Sequence, residues 1–198
     1  MKITPDSFPF LVLGCVIVAW LAFAPVFVFR KRPPHVTEQK RDPRSRVGIV
    51  IQMIAFAMVW GARRRPLGMI VPLTPAFAYV VGAVTVLIAA ASVWLAGAAV
   101  RALGKQWTYV ARTIEGHELI TTGPYGFVRN PIYLGMFGML LATGLALTSW
   151  PVLAAAIVIF LCGTVIRIRS EEKLLREAFG TKFDDYTRRA PAFLPGIF

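Results

Sequence analysis

Charge is scarce in this chain. Only 16% of its 198 residues are Asp, Glu, Lys or Arg, where soluble domains carry closer to a quarter. With 57% hydrophobic residues and a mean hydropathy of +0.63, that scarcity excludes an ordinary soluble enzyme and indicates an integral membrane protein. Acidic side chains are scarcer still, 10 against 22 basic ones. A net charge of +12 can suggest nucleic acid, but the basic residues here lie between apolar runs. In that position they orient helices and meet anionic headgroups, so membrane lipids are expected partners and nucleic acid is not. There are two cysteines, Cys15 and Cys162, both inside apolar runs and neither at metal-ligand spacing, so no disulfide and no metal are expected. No βαβ pattern or Gly-rich nucleotide fingerprint occurs, which excludes a Rossmann-type domain. The stretch before the first apolar run holds only Lys2 and Asp6, so no cleavable signal is expected.

What the chain does have is apolar runs. Residues 8–29 are uncharged and long enough to cross about 30 Å of hydrocarbon. Residues 47–62 are barely long enough and end in Arg63-Arg64-Arg65, while 76–100 is rich in Ala and Gly and suited to close packing. Residues 131–166 are too long for one span and break at Ser149-Trp150-Pro151, which predicts a tight helical hairpin. The expected fold is therefore all-α: a polytopic membrane protein of about five transmembrane helices with a helical hairpin and a cytoplasmic C-terminal helix. Residues 1–198 form one integral membrane domain, with three N-terminal spans in 1–100 and a loop, hairpin and tail in 101–198. Eighteen of the 22 basic residues fall in 30–46, 101–130 and 167–198. The positive-inside rule then puts loop 101–130 and the C-terminus in the cytoplasm, in an inner or plasma membrane.

Two stretches carry chemistry. Residues 121–135 read TTGPYGFVRNPIYLG. Asn130 suits an N-cap and Pro131 the first helical position. Arg129 and Tyr133 then sit where a loop enters a membrane helix. This is either an ordinary capped helix with interfacial side chains or, with an arginine beside a helix N-terminus, a place to hold an anion. In the tail, a helical wheel over 170–179 places Leu174, Leu175 and Ala178 on one side, with Glu171 central and Glu172 at the edge beside Phe179. A carboxylate on an apolar face needs a partner, and the candidates are the helix N-terminus, Arg167 and Arg129. Gly180 suits a C-cap. Gly135, Gly138 and Ala142 fall near one face, for helix packing, for a ligand groove, or for both. His35 reads as solvated.

The run G-P-Y-x-x-V-R-N-P-x-Y-x-G, followed by a hairpin and Glu171-Glu172, resembles the integral-membrane methyltransferases typified by isoprenylcysteine carboxyl methyltransferase. Arg129, Pro131, Tyr133 and Gly135 match that family's R-H-P-x-Y-x-G element. Asn130 stands where histidine is usual, a position at which the related phospholipid N-methyltransferases are more permissive. Leu103-Gly104, Trp107 and the run from Gly116 to Thr121 fill an upstream pattern, and F-G-T-K-F-D-D-Y resembles the family's tail. The likeness covers roughly 101–195.

The resemblance implies S-adenosylmethionine as cofactor and a lipophilic acceptor arriving from the bilayer. That acceptor is an isoprenylcysteine-like carboxylate, or a lipid amine or thiol. Arg129, Tyr133 and Asn130 are then the catalytic candidates. His117, Leu119, Gly123, Tyr125, Arg129, Pro131, Tyr133, Glu171 and Glu172 are the cofactor-binding candidates. Arg129 is expected to grip an acceptor carboxylate as a two-pronged donor, or to order the cofactor if the acceptor is an amine or thiol. Asn130 is expected to cap its helix through its side-chain oxygen. Two rivals stand: an NADPH-dependent membrane reductase of the sterol or steroid kind, and a non-catalytic polytopic protein.

Overall fold

The computed structural model describes residues 7–28, 38–64, 74–104, 112–114 and 118–194. Among these residues six α-helices follow in order: α1 (Phe8–Val28), α2 (Arg44–Gly61), α3 (Pro75–Leu103), α4 (Pro131–Leu147), α5 (Trp150–Phe179) and α6 (Thr181–Arg189). Prolines in the first turn open α3, α4 and α5, where a missing N–H costs nothing. Thr74 caps α3 by accepting from Phe77 N at 3.2 Å. The hairpin breaks between Leu147 and Trp150, as its sequence predicts. By length and composition, α1, α3 and α5 can cross a membrane; α4 is apolar but has only 17 residues. α2 begins with Arg44 and Arg46. The fold is that of a helical integral membrane protein.

Three observations fix how the helices run. Phe8 meets Tyr79 at 4.6 Å, so α1 and α3 start together. Arg64 N donates to Leu147 O at 2.8 Å, so α2 ends where α4 ends. Gln52 bonds Thr164 while Phe56 stacks on Phe160, so α2 and α5 are antiparallel. The hairpin tip therefore lies at one end of the bundle. The start of α4, the last turns of α5, and α6 lie at the other. α4 is central: one core cluster joins it to α1 and α3, another to α2 and α5.

Two expectations change. Residues 167–179 are no separate tail helix, because α5 runs unbroken from Trp150 to Phe179. Its charged last turns are strong helix formers and nothing interrupts them before Gly180, whose φ of +52° ends the helix as predicted. The C-terminal helix is instead the short α6. The 30–46 segment, which its Pro33-Pro34 pair marks in sequence as irregular or interfacial, contributes a strand. β1 (Glu38–Arg41) pairs antiparallel with β2 (Arg112–Ile114), with Glu38 opposite Ile114 and Arg41 opposite Arg112.

Candidate active site

A cavity of about 870 Å³ lies between α1, α2 and α4 and is closed at one end by the α5–α6 tail. Its apolar wall includes Trp20, Phe23, Phe27, Met53, Phe56 and Trp60. Its polar end holds Arg129, Asn130, Tyr133, Arg167, Glu171 and Glu172, with Glu118, Tyr125 and Tyr186 beside them.

The polar end is stitched together by consecutive residues. Gly123, at φ +61°, turns the chain into a 3-10 turn (Gly123–Gly126) that buries Tyr125. Tyr186 donates its hydroxyl to the Tyr125 carbonyl at 2.6 Å, bringing α6 onto this loop. Arg129 donates Nε and Nη2 to Glu172 Oε1 at 2.9 and 2.8 Å. Its Nη1 donates to Thr187 O at 3.2 Å and also to Ala190 O. Its backbone N–H bonds Pro191 O at 2.8 Å. Asn130 donates Nδ2 to Ala192 O at 2.8 Å.

One turn into α4, buried Tyr133 donates its hydroxyl to the Glu171 carboxylate. The Arg167 guanidinium stacks 4.6 Å from the Tyr133 ring centroid. Arg167 Nη1 donates to Gln52 Oε1 at 3.0 Å, and Gln52 Nε2 to Thr164 Oγ1 at 2.8 Å. A polar strut thus runs from α2 through α5 to α4. Burial, helped by the Glu171 charge, pushes the Tyr125 hydroxyl far above its ordinary value. Burial also pushes Tyr186 up to about 12, opposed by Arg129 and helped by Glu172. Both hydroxyls are therefore neutral donors near pH 7.

Of the residues singled out from sequence, Leu119, Tyr125, Arg129, Asn130, Tyr133, Glu171 and Glu172 converge on this cavity. Gly123 is exposed and shapes the turn, and Pro131 is buried at the helix start, so neither faces it. His117 lies outside the described residues, as does Trp107. Asn130 sits at the N-cap without a side-chain cap bond, because its amide is turned to the tail. The Arg129 fork is engaged here by Glu172 and the carbonyls of Thr187 and Ala190. Gly135 and Gly138 receive α3, where Ser92 and Ala96 press close, so packing is their observed use. Ala178 is exposed, unlike Leu174.

Sequence reasoning named Arg167 only as a candidate partner for the glutamates and did not single out Gln52, Tyr186 or the aromatic side chains of α1 and α2 as site residues. The R-x-x-x-E-E spacing, one helical turn, was the available signal for Arg167.

A sequence profile described as phospholipid methyltransferase matches residues 77–182, more than half of the chain. Among curated relatives, the nickel-cobalt-cadmium resistance protein NccN of Alcaligenes xylosoxydans xylosoxydans is 38% identical over 110 residues, 54% of this chain and 50% of that one. The cobalt-zinc-cadmium resistance protein CzcN of Cupriavidus metallidurans is 33% identical over 51% of this chain and 47% of its own. Protein-S-isoprenylcysteine O-methyltransferase of Saccharomyces cerevisiae is 32% identical over 50% and 42% respectively. The chain thus spans about half the length of the curated relatives it matches. Among described residues, no group of three His, Cys, Asp or Glu could hold a metal ion. The solved structure of a eukaryotic intramembrane Ras methyltransferase, isoprenylcysteine carboxyl methyltransferase, superposes with a TM-score of 0.58 at 18% identity. That superposition covers all of this chain and 70% of the other, a likeness of fold. With a family profile lying over the third span, the hairpin and the paired glutamates, this chain belongs to the phospholipid methyltransferase family.

Proposed function

We propose that the protein transfers a methyl group from S-adenosylmethionine to a lipophilic acceptor that reaches the cavity from the bilayer. The observation that carries this reading is the pairing of Tyr133 with Glu171 and of Arg129 with Glu172 at the closed end of an otherwise apolar cavity. The residues fit such a cofactor. Its ammonium and sulfonium charges call for carboxylates, and Glu118, Glu171 and Glu172 line the cavity. Its adenine calls for apolar and aromatic surface, which Leu119, Tyr125 and Phe183 offer. In this reading Glu171 and Glu172 hold the amino group or ribose hydroxyls, and His117 belongs to the same set.

When bound, S-adenosylmethionine supplies an electrophilic methyl group on a sulfonium centre. The chain's own part is positioning and exclusion of water. Arg129 orders Glu172 and ties loop to tail, Asn130 fastens Ala192, and Arg167 holds the Tyr133 ring so that its hydroxyl stays on Glu171. Arg129, Asn130 and Tyr133 thus act on the reaction through placement, whether the acceptor is a carboxylate, an amine or a thiol. The alternating helix directions support five spans in one domain with loop 101–130 and the C-terminus on the same side, and the basic residues of 30–46, 101–130 and 167–198 favour the cytoplasm for that side. Cysteine-accessibility labelling that puts residue 118 outside in intact cells would reverse that orientation.

The deciding experiment is calorimetry on purified protein with S-adenosylmethionine and, separately, NADPH, followed by transfer of labelled methyl into a lipid extract. Binding of the first with label in a lipid product is expected. Tight NADPH binding without S-adenosylmethionine binding would overturn the proposal in favour of a reductase.

A further inference from the structure

The apolar wall changes character along its length. α1 has α3 and α4 as principal neighbours and α2 has α5 and α4, so the first two helices face each other across a seam. Among the described residues that seam is open toward the polar end. Val28 and Met53 line the cavity and are 66% and 63% exposed. Deeper in, it is bridged. The Trp20 ring lies 5.3 Å from Phe56 and 6.1 Å from Trp60, both edge-on. Its indole N–H donates to Thr143 Oγ1 at 2.9 Å, and Thr143 in turn bonds its own helix at Met139 O. The indole is thus held at its ring by α2 and at its nitrogen by α4. Swinging it aside would strand a buried donor, which side-chain motion alone does not compensate.

Trp20 stands eight residues before Val28, which is about 12 Å of helix. An extended chain reaches about 1.2 Å per bond, since a three-bond residue spans about 3.6 Å, so the open stretch accommodates about ten bonds. We infer that Trp20, backed by Phe56 and Trp60, is the end stop for the acceptor's hydrocarbon chain. The acceptor class is accordingly a single-chain amphiphile. Its polar atom sits at the Tyr133–Glu171 end, and its chain of about ten bonds lies between α1 and α2. This deepens the proposed methyl-acceptor site and rests on it for the identity of the occupant. A bridge held by both α2 and α4 favours one chain over the paired chains of a diacyl lipid.

The test separates chain gauging from methyl transfer. Full-length protein in detergent is titrated with n-alkyl carboxylates and n-alkylamines bearing a terminal diazirine, then irradiated and mapped by mass spectrometry. Affinity should rise about fourfold per added carbon while each methylene is newly buried, then level off near ten. Short probes should label Phe27 and Met53, and probes at the plateau Trp20 and Phe56. Trp20→Ala should move the plateau to longer chains by several carbons. Trp20→Phe should move it by fewer, and is the arm to read if the alanine variant fails to fold. Thr143→Val, which frees the indole without deepening the cavity, should blur the plateau.

A plateau unchanged in folded Trp20→Phe and Trp20→Ala would overturn the end stop. So would labels confined to the outward-facing Trp94 and Trp150. Gauging that persists in protein unable to bind S-adenosylmethionine would leave the end stop standing and remove the methyl-transfer chemistry instead.

Discussion

The two ends of the cavity are built on opposite principles. At the polar end Arg129, Asn130, Tyr133, Arg167, Glu171 and Glu172 each have a named partner, drawn from two short stretches, 125–133 and 167–172, from the tail at 187–192 or from Gln52. At the apolar end, single residues spread along α1 and α2 meet edge to face with no donor or acceptor to match, Trp20 excepted. A directional contact strands its partner when lost, whereas ring packing can be refilled by another ring of similar volume. The polar end should therefore fail all at once, and the apolar end should change what it accepts before it fails.

The largest expected effect is at Glu172. The Arg129 and Glu172 side chains are only 12% and 19% exposed, so Glu172→Ala leaves a largely enclosed guanidinium facing carbonyls alone. Losing hydrogen bonds to a charged group there should cost about 1.5–3 kcal/mol, several degrees of melting temperature. Affinity for S-adenosylmethionine should drop about tenfold or more by calorimetry, and Glu171→Ala should match that loss of affinity. If Trp20→Phe proved as damaging to stability and cofactor binding as either, the contrast between the two ends would be gone.

That contrast also decides what was legible in the sequence. Residues 121–135 and Gly180 could be read because proline and glycine restrict the backbone locally. The paired glutamates could be read because charge on an apolar face demands a partner. Of their actual partners, Arg129 was among the candidates and Tyr133 was not. Asn130 meets Ala192 and Gln52 meets Arg167, 62 and 115 positions apart, and no periodicity encodes such pairs. The continuation of α5 past residue 166 was hidden because its charge resembles a departure from the membrane, although its residues favour helix. On α1 and α2, lipid-facing and cavity-facing positions are equally apolar, so the wheel that marks a soluble helix's buried face is silent there.

The next effect sharpens the comparison where the strut crosses between α2 and α5. A Cβ on Gly48 would lie 2.5 Å from Arg167 Cγ and 2.6 Å from Gly163 O, and a backbone oxygen has nowhere to go. Gly48→Ala should cost about 2 kcal/mol through overpacking and displace the guanidinium from the Tyr133 ring. Gly138→Ala is the control, since it meets the side chain of Ser92, which can rotate. Melting temperatures that fell equally in both would mean that the α2–α5 crossing yields as readily as α3 does.

Arg129→Lys comes third. The ammonium keeps the charge but not the fork, so it can serve Glu172 or the carbonyls of Thr187 and Ala190, not both sets. A stability loss of about 1–2 kcal/mol is expected, with earlier proteolytic release of the C-terminal segment and reduced methyl transfer. Wild-type cleavage kinetics and full activity would show that charge alone suffices at this position.

The smallest effect distinguishes two roles for one residue. Asn130 occupies the N-cap of α4, and its sequence context predicts a capping side chain; its amide instead donates to Ala192 O and is buried. Asn130→Ala should cost about 1 kcal/mol by leaving that carbonyl unpaired. Asn130→Asp separates the possibilities. If capping governs, aspartate equals asparagine and both exceed alanine. If the tie to the tail governs, aspartate is worse than alanine, because it has no N–H to give and sets a carboxylate against the Ala192 carbonyl. Asn130→His restores a ring donor and should recover part of the loss only in the second case. The expected order of melting temperature is therefore asparagine, histidine, alanine, aspartate. An aspartate variant as stable as wild type would return Asn130 to simple capping and leave Arg129 as the tie between loop and tail.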